Sequence, residues 1–201
     1  MQDAYLRRQK DRLLTPMIGS AFASIHPNTL SVIAMLIGLG SVVAIVWQLY
    51  TIGLFLWAVN RVMDGLDGVV ARVYQKQSDF GGFLDLVLDF VIYLTVPIAF
   101  LIAMPTAANL WAGIALLTSY VMNSISWTTL AALLEKRQRH STDRLTSMEM
   151  PTGLVEGAET ILFYTLFYLF PAHIAPLFSL MAGLVLFTAG QRVWWAYYHL
   201  R

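Results

Sequence analysis

Long apolar segments, separated by short polar breaks, make up most of the chain. A helix of roughly 20 apolar residues crosses a bilayer and satisfies its own backbone hydrogen bonds there. Prolines at three breaks, Pro105, Pro151 and Pro171, are typical of helix limits. The pattern predicts six crossings: Leu30 to Leu49, Ile52 to Tyr74, Phe80 to Met104, Asn109 to Leu134, Gly153 to Phe170 and Ile174 to Leu200.

The cations lie on one side of this predicted topology. No lysine or arginine occurs in the breaks near Tyr50, Pro105 and Pro171. Because cytoplasmic loops are enriched in lysine and arginine, both termini are predicted to be cytoplasmic. The cations on that side are Arg7, Arg8, Lys10, Arg12, Arg72, Lys76, Lys136, Arg137, Arg139, Arg144 and Arg201.

Residues 1–24 interleave apolar and basic side chains at helical spacing. This pattern favours an amphipathic helix on the inner membrane surface; the alternative is a solvated tail. The expected fold is therefore an all-α integral membrane protein with six transmembrane helices and an N-terminal amphipathic interfacial helix. We expect a single domain, 1–201, with the interfacial helix at 1–24 and the six-helix bundle at 27–200.

Composition agrees with a membrane location and excludes several other classes. Hydrophobic residues make up 58% of the 201 positions and charged residues 12%, which is unlike a soluble domain. The net charge of +1 gives no reason to expect a nucleic-acid partner. Because the sequence has no cysteine, disulfides and thiolate metal ligands are excluded.

Four aspartates lie within the second and third predicted spans, where an isolated carboxylate costs about 2.5 to 3.5 kcal/mol. Asp64 and Asp67 share one helix face, as do Asp85 and Asp89, and the connection between the helices is short. The four carboxylates are therefore expected to converge, and a divalent cation would relieve their repulsion. The alternative is that they are simply solvated at helix ends.

The ligand types indicate which ion and which substrate to expect. Oxygen ligands without cysteine or a nearby histidine favour Mg²⁺ or Mn²⁺. Two such ions would suit four aspartates and a diphosphate, so a phosphorylated substrate is expected. Small residues among the acids either form the wall of a pocket or permit close helix packing: Gly65, Gly68, Ala71, Gly81 and Gly82.

The acidic segment resembles a known family signature. It reads D-G-L-D-G-V-V-A-R from Asp64, then eight residues to Gly81, three to Asp85 and three to Asp89. This is similar, at every fixed position and gap, to the signature D-x2-D-G-x2-A-R-x8-G-x3-D-x3-D of the CDP-alcohol phosphotransferase (phosphatidyltransferase) family. The six predicted spans extend the resemblance over the chain.

The resemblance implies a reaction and a set of site residues. A CDP-linked lipid such as CDP-diacylglycerol would donate its phosphoryl-lipid group to a small alcohol, releasing CMP, and the enzyme would be a homodimer. The implied metal ligands are Asp64, Asp67, Asp85 and Asp89, the last also being the general base. The implied nucleotide-site residues are Pro27, Asn28, Thr29, Gly68, Ala71, Arg72, Ser78 and Gly81.

The acceptor is less constrained. A phosphorylated polyol such as glycerol phosphate or inositol phosphate is favoured, since arginine matches phosphate oxygens. Candidate acceptor residues are Arg137, Arg139, Arg144, Glu156, Glu159 and Arg192. The alternatives are a positive-inside loop at 135–144 and buried ion pairs for the others, with pairing preferred for Arg61.

Two other functions fit some of these residues. A divalent-cation or proton-coupled transporter also uses intramembrane carboxylates. Against it, the four aspartates lie toward one face, and none forms a relay to the other side. An inactive lipid-binding scaffold would not need the complete acidic set.

Overall fold

The computed structural model of the chain describes residues 24–140 and 153–200, the side chains of residues 138–140 excepted. In these ranges the backbone is helical and contains no strand. The predicted interfacial helix at 1–24 falls almost wholly outside them, as does Arg144. The six helices are α1 (Pro27–Val46), α2 (Tyr50–Val73), α3 (Asp79–Ala103), α4 (Ala107–His140), α5 (Gly157–Leu169) and α6 (Ile174–His199), with a 3₁₀ turn at Pro171–His173 before α6.

The helices correspond in order to the six predicted spans, but not all of them have the character of a membrane span. By length and composition, three segments of the described chain can cross a bilayer: Pro27–Val46, Asp79–Ala103 and Pro171–His199. The fifth predicted span, Gly153 to Phe170, contains only the 13-residue α5. At 1.5 Å per residue α5 is about 20 Å long, shorter than a hydrocarbon core of about 30 Å. The count of six crossings therefore stays a prediction.

Large apolar side chains are exposed along the helices, among them Trp47, Phe55, Phe83 and Trp111. A protein surface of this kind is expected to face lipid. Together with the three long apolar helices, it identifies an integral membrane protein.

The chain divides into two compact units, one ending at Ala103 and the other beginning at Met104. In the first unit, α1 packs against both α2 and α3. Gly38 allows this approach, because a Cβ atom there would lie 2.7 Å from Ile92 Cδ1 and 3.0 Å from Asn60 Nδ2. Two short turns join the helices, and each contains a residue with positive φ, Gln48 at 61° and Gln75 at 54°.

Three side-chain hydrogen bonds connect α1 to α2 along their length. Ser41 Oγ donates to the Gly53 carbonyl at 2.7 Å, and Asn60 Nδ2 donates to the Ala34 carbonyl at 2.7 Å. The third runs from Ser31 to Asp67 and belongs to the candidate site. Interhelical hydrogen bonds of this type hold helices in register where the apolar surroundings provide no competing partner.

In the second unit, α4 and α5 both contact α6. Tyr120 and Tyr164 share a hydrogen bond of 3.0 Å between their hydroxyl groups. The segment before α5 is held by Thr188, whose Oγ1 accepts from Val155 N at 3.0 Å. Gly153 is required beside it, because a Cβ atom there would lie 2.3 Å from Thr188 Cγ2.

Candidate metal and nucleotide site

Three of the four motif aspartates meet where α2 and α3 face each other in the first unit. Asp64, Asp67 and Asp85 each place one carboxylate oxygen within 4.8 Å of the other two. The first two lie three residues apart on α2, and Asp85 is brought opposite them by the connection of five residues between Val73 and Asp79. The geometry follows from helical periodicity and from the short turn.

Asp67 is the most enclosed member of this group, with 4% of its surface exposed. Ser31 on α1 donates a hydrogen bond of 2.5 Å from Oγ to Asp67 Oδ2. Ser31 is itself 7% exposed, and its Oγ also lies 3.3 Å from the Pro27 carbonyl. A third helix thus fixes the orientation of a carboxylate that α2 presents.

The fourth aspartate, Asp89, lies in contact with both Asp64 and Arg61 of α2. Asp89 Oδ1 lies 2.9 Å from Arg61 NH2, and Asp89 is not part of the group formed by the other three. Asp89 lies one helical turn beyond Asp85, which brings it beside Arg61 on α2. The second guanidinium nitrogen of Arg61 lies 3.8 Å from Asp64 Oδ2.

The group of three carboxylates fits a hard divalent cation. Two oxygens on opposite sides of one Mg²⁺ are about 4.2 Å apart. The carboxylate oxygens of the three aspartates lie within 4.8 Å of one another, which is close to that separation. No histidine or cysteine belongs to the group, which favours Mg²⁺ or Mn²⁺ over Zn²⁺. Three negative charges in a largely buried position also need a cation to offset them.

A polar cleft of about 540 Å³, including its open mouth, lies next to the carboxylates. Seven of the eight predicted nucleotide-site residues line it: Pro27, Asn28, Gly68, Ala71, Arg72, Ser78 and Gly81. Asp67 and Asp85 line it as well, so carboxylates and cleft form one continuous site.

Thr29 is the predicted nucleotide-site residue that does not line the cleft. It is exposed in the first turn of α1, where its backbone N–H donates to the His26 carbonyl at 3.0 Å. His26 caps this helix, accepting at Nδ1 from Asn28 N at 3.3 Å. Pro27 occupies the first helical position, and both Pro27 and Asn28 border the cleft.

Two glycines bring the backbone close to the cleft. A Cβ atom on Gly81 would lie 3.1 Å from both Asn28 Oδ1 and Ser78 Oγ, and one on Gly68 would lie 3.3 Å from an Arg72 guanidinium nitrogen. Ser78 Oγ accepts a hydrogen bond from Gly81 N at 3.0 Å. The small residues at these positions therefore leave room for polar side chains that border the site.

The cleft also contains residues that the sequence did not single out for this role. Lys76 lines it, and its Nζ donates to the Ile25 carbonyl at 3.2 Å, joining the turn after α2 to the start of α1. Ser31 was missed although its polarity within a predicted span was a signal. Arg61 was expected to form a structural pair, and its partners prove to be two of the motif aspartates.

The predicted acceptor residues belong to the second unit, and those described there have local partners. Arg137 donates to the carbonyls of His199 and Leu200. Glu156 and Glu159 form a capping box at the start of α5, with Glu156 N donating to Glu159 Oε2 at 3.1 Å. The side chain of Arg139 and the whole of Arg144 lie outside the described part.

Arg192 is the acceptor candidate with an incomplete set of partners. It is 7% exposed, and its NH1 donates to Asn123 Oδ1 at 2.5 Å. Its Nε is buried and has no hydrogen-bond partner among the described residues. A buried donor without a partner is costly, so this guanidinium is suited to bind an anionic or hydroxylated ligand.

Comparisons with known proteins agree with the geometry of the site. The profile of a family described as CDP-alcohol phosphatidyltransferase matches residues 24–195, which include every described site residue. The chain is 36% identical over 178 residues to the inner membrane protein YnjF of Escherichia coli, covering 88% of this chain and 85% of that protein.

Two archaeal relatives are similar over shorter segments. One is the bifunctional IPC transferase and DIPP synthase of Archaeoglobus fulgidus, 33% identical over 107 residues, or 52% of this chain and 22% of that protein. The other is the archaetidylinositol phosphate synthase of Pyrococcus horikoshii, 40% identical over 74 residues, or 36% of this chain and 39% of that protein.

Proposed function

Because this chain belongs to the CDP-alcohol phosphatidyltransferase family and is a transferase, we propose that it moves a phosphatidyl group from a CDP-linked lipid such as CDP-diacylglycerol to a small alcohol, releasing CMP. The observation that carries this proposal is the joining of three carboxylates to the polar cleft. A diphosphate in the cleft would lie beside the position where these carboxylates hold a cation. The proposed role is phospholipid synthesis.

Asp64, Asp67, Asp85 and Asp89 are the proposed metal ligands, and the first three form one group of carboxylates. When bound, Mg²⁺ or Mn²⁺ supplies positive charge that offsets the charge on the diphosphate oxygens. Ser31 keeps Asp67 turned toward the other two carboxylates. Two ions are proposed, because a diphosphate offers oxygens to more than one.

The remaining cleft residues are proposed to bind the nucleotide. The side chains of Arg72 and Lys76 bring two positive charges to a cleft that must accept a diphosphate. Asn28 and Ser78 offer an amide and a hydroxyl for hydrogen bonds with CMP. Gly68 and Gly81 leave space that a side chain would otherwise fill.

Asp89 is the proposed general base. The acceptor hydroxyl oxygen attacks the phosphorus that carries the lipid, while Asp89 takes the hydroxyl proton. A new P–O bond to the acceptor forms as the P–O bond to CMP breaks, and CMP leaves with that bonding pair. Retention of metal and CDP binding in Asp89→Asn, with loss of turnover, would separate this role from metal ligation.

The proposed acceptor is a phosphorylated polyol, with inositol phosphate preferred. Its support is the name of the Pyrococcus horikoshii relative, an archaetidylinositol phosphate synthase, together with the buried guanidinium of Arg192. We also propose that both termini and the active site face the cytoplasm, as the distribution of cations predicts, and that the enzyme is a homodimer.

The deciding experiment is an assay of CMP release by purified protein in lipid nanodiscs. CDP-diacylglycerol and Mg²⁺ or Mn²⁺ are combined with inositol phosphate, glycerol phosphate, inositol, serine or choline in turn. We expect CMP release with a polyol phosphate and none from Asp64→Asn. Failure of every acceptor to release CMP, combined with metal-ion flux across vesicles containing the protein, would favour a transporter instead.

A further inference from the structure

His26 supplies two hydrogen-bond acceptors to the first turn of α1. Its ring Nδ1 accepts from Asn28 N at 3.3 Å, and its backbone carbonyl accepts from Thr29 N at 3.0 Å. Pro27, the first residue of the helix, has no backbone N–H to satisfy. Because the first N–H groups of a helix have no acceptor within the helix, a side-chain acceptor at the N-cap stabilises this turn.

The turn that His26 caps forms one wall of the nucleotide cleft. Asn28 lines the cleft, whereas His26 is not among the residues that line it. A Cβ atom on Gly81 would lie 3.1 Å from Asn28 Oδ1, so the Asn28 carboxamide lies against the backbone of α3. The position of this carboxamide therefore depends on the course of the α1 backbone at its second residue.

The chain on either side of this turn is held by other contacts. Lys76, in the turn between α2 and α3, donates from Nζ to the Ile25 carbonyl at 3.2 Å. Beyond the first turn, Leu30 and Ser31 are buried, and Ser31 Oγ donates to a carboxylate of α2. The His26 ring therefore acts on a short segment between two positions that are already fixed.

We propose that His26 is a positioning residue for nucleotide binding, whose Nδ1 caps α1 and so keeps the Asn28 carboxamide at the wall of the cleft. This inference rests on the proposed function, because it assumes that Asn28 binds the nucleotide of the donor. It gives His26 no contact with substrate, since the ring is not part of the cleft lining. Metal binding is not affected, because Ser31 orients Asp67 from beyond this turn.

Two substitutions of His26 separate capping from a direct contact of the ring. Asparagine is among the best N-cap residues, whereas phenylalanine has no acceptor. His26→Asn thus keeps the acceptor and loses the ring, and His26→Phe keeps a ring and loses the acceptor. A capping role predicts normal donor binding in His26→Asn and weaker donor binding in His26→Phe. A ring that stacked on the cytosine base would give the opposite order.

The experiment compares both variants with the unchanged chain in nanodiscs. CMP release gives kcat and the KM for CDP-diacylglycerol, and electron paramagnetic resonance titration gives the Mn²⁺ affinity. We expect His26→Phe to raise the donor KM by about fivefold, the factor that corresponds to a typical N-cap contribution. Its kcat and Mn²⁺ affinity should be unchanged, and His26→Asn should match the unchanged chain in all three quantities.

Thr106→Val is the matched control, because Thr106 caps α4 in the same way. Its Oγ1 accepts from Asn109 N at 3.2 Å, and its carbonyl accepts from Leu110 N at 2.9 Å. Both His26→Phe and Thr106→Val should lower the melting temperature, but only His26→Phe should raise the donor KM. An equal rise of the donor KM in both variants would overturn the proposal, because loss of helix stability alone would then explain it.

A double variant tests whether His26 acts through Asn28. Asn28→Ala alone should raise the donor KM, since it removes the carboxamide. Adding His26→Phe should raise the KM no further, because the group that the cap positions is already absent. Additive increases would overturn the proposal, and so would an unchanged donor KM in His26→Phe.

Binding of CMP in the presence of Mn²⁺, measured by isothermal titration calorimetry, distinguishes failure of this inference from failure of the proposed function. Weaker CMP binding in His26→Phe, with normal binding in His26→Asn, supports the role of His26 even if no acceptor releases CMP. That absence of CMP release would overturn the proposed function alone. Equal CMP affinity in all three proteins, or the opposite order, would overturn the role of His26 alone, and failure of the unchanged chain to bind CMP would overturn both.

Discussion

Ser31 on α1 and Asp67 on α2 lie 36 positions apart in the sequence and are joined by a hydrogen bond of 2.5 Å. Both side chains are almost fully buried. The serine donates to the oxygen of a carboxylate whose other neighbours include two further aspartates. The first helix therefore takes part in the site by orienting a proposed metal ligand, in addition to bordering the cleft.

Replacement of Ser31 by alanine should weaken metal binding. Removal of a group that orients a metal ligand typically costs about 10- to 100-fold in metal affinity or activity. We expect Ser31→Ala to raise the Mn²⁺ dissociation constant by roughly tenfold on that basis and to lower CMP release at limiting metal. Mn²⁺ titration followed by electron paramagnetic resonance measures the first effect.

Ser41→Ala is the matched control for Ser31→Ala. It removes another α1 hydroxyl, the one that donates to the Gly53 carbonyl at 2.7 Å, about three helical turns from Ser31. We expect a lower melting temperature with unchanged Mn²⁺ affinity. An equal loss of Mn²⁺ affinity in both variants would mean that Ser31 acts through helix packing alone.

Loss of any one of the three grouped carboxylates should abolish turnover. We expect Asp85→Asn to lower CMP release to background and to remove the Mn²⁺ signal of the bound ion. Only two of the three grouped carboxylates then remain to offset the charge of the cation. Asp79→Asn is the control, since Asp79 is an exposed residue at the start of the same helix.

Chelation of the metal should stop the unchanged enzyme, and added Mg²⁺ or Mn²⁺ should restore it. Turnover that survives chelation would contradict metal dependence.

Gly81→Ala should reduce nucleotide affinity specifically. The added methyl group would meet Asn28 Oδ1 and Ser78 Oγ at 3.1 Å, so both polar groups must move from their positions at the cleft. We expect the KM for CDP-diacylglycerol to rise several-fold while Mn²⁺ affinity is unchanged. Gly183→Ala is a suitable control, because a Cβ atom there meets no atom within 4 Å. An unchanged KM in Gly81→Ala would show that Asn28 and Ser78 do not bind the nucleotide.

Much of the site could be predicted because its geometry is local. The spacing of Asp64 and Asp67 on one helix and the position of Asp85 after a short turn require only helical periodicity and the length of the connection. The same reasoning predicted the helical class of the described fold. It did not identify Asp64 and Asp89 as the partners of Arg61, because those contacts depend on how α2 and α3 pack.

The rest of the arrangement depends on contacts between distant parts of the sequence. Nothing in the local pattern around Ser31 shows that α1 packs beside Asp67, since that contact requires the packing of three helices around Gly38. The later start of α5, at Gly157, has a similar origin: Glu156 and Glu159 cap the helix there, while Val155 is bonded to Thr188. Hydropathy alone places the start of the predicted span at Gly153, four residues before the helix begins.

The last prediction separates two candidate acceptor residues of the second unit. The guanidinium of Arg192 is buried with its Nε unsatisfied within the described ranges, whereas the carboxylate of Glu159 accepts from the backbone of Glu156. We expect Arg192→Lys to raise the KM for inositol phosphate by roughly tenfold, since a charge-assisted hydrogen bond contributes about 1.5 to 3 kcal/mol, and to leave the donor KM unchanged.

Glu159→Gln is the comparison, because glutamine at this position still completes a capping box. Its acceptor KM and melting temperature should both stay near those of the unchanged enzyme. The assay is CMP release at saturating donor with inositol phosphate varied. A higher acceptor KM in Glu159→Gln with none in Arg192→Lys would place acceptor recognition at the start of α5, because only a direct contact with the lost charge would then account for the difference.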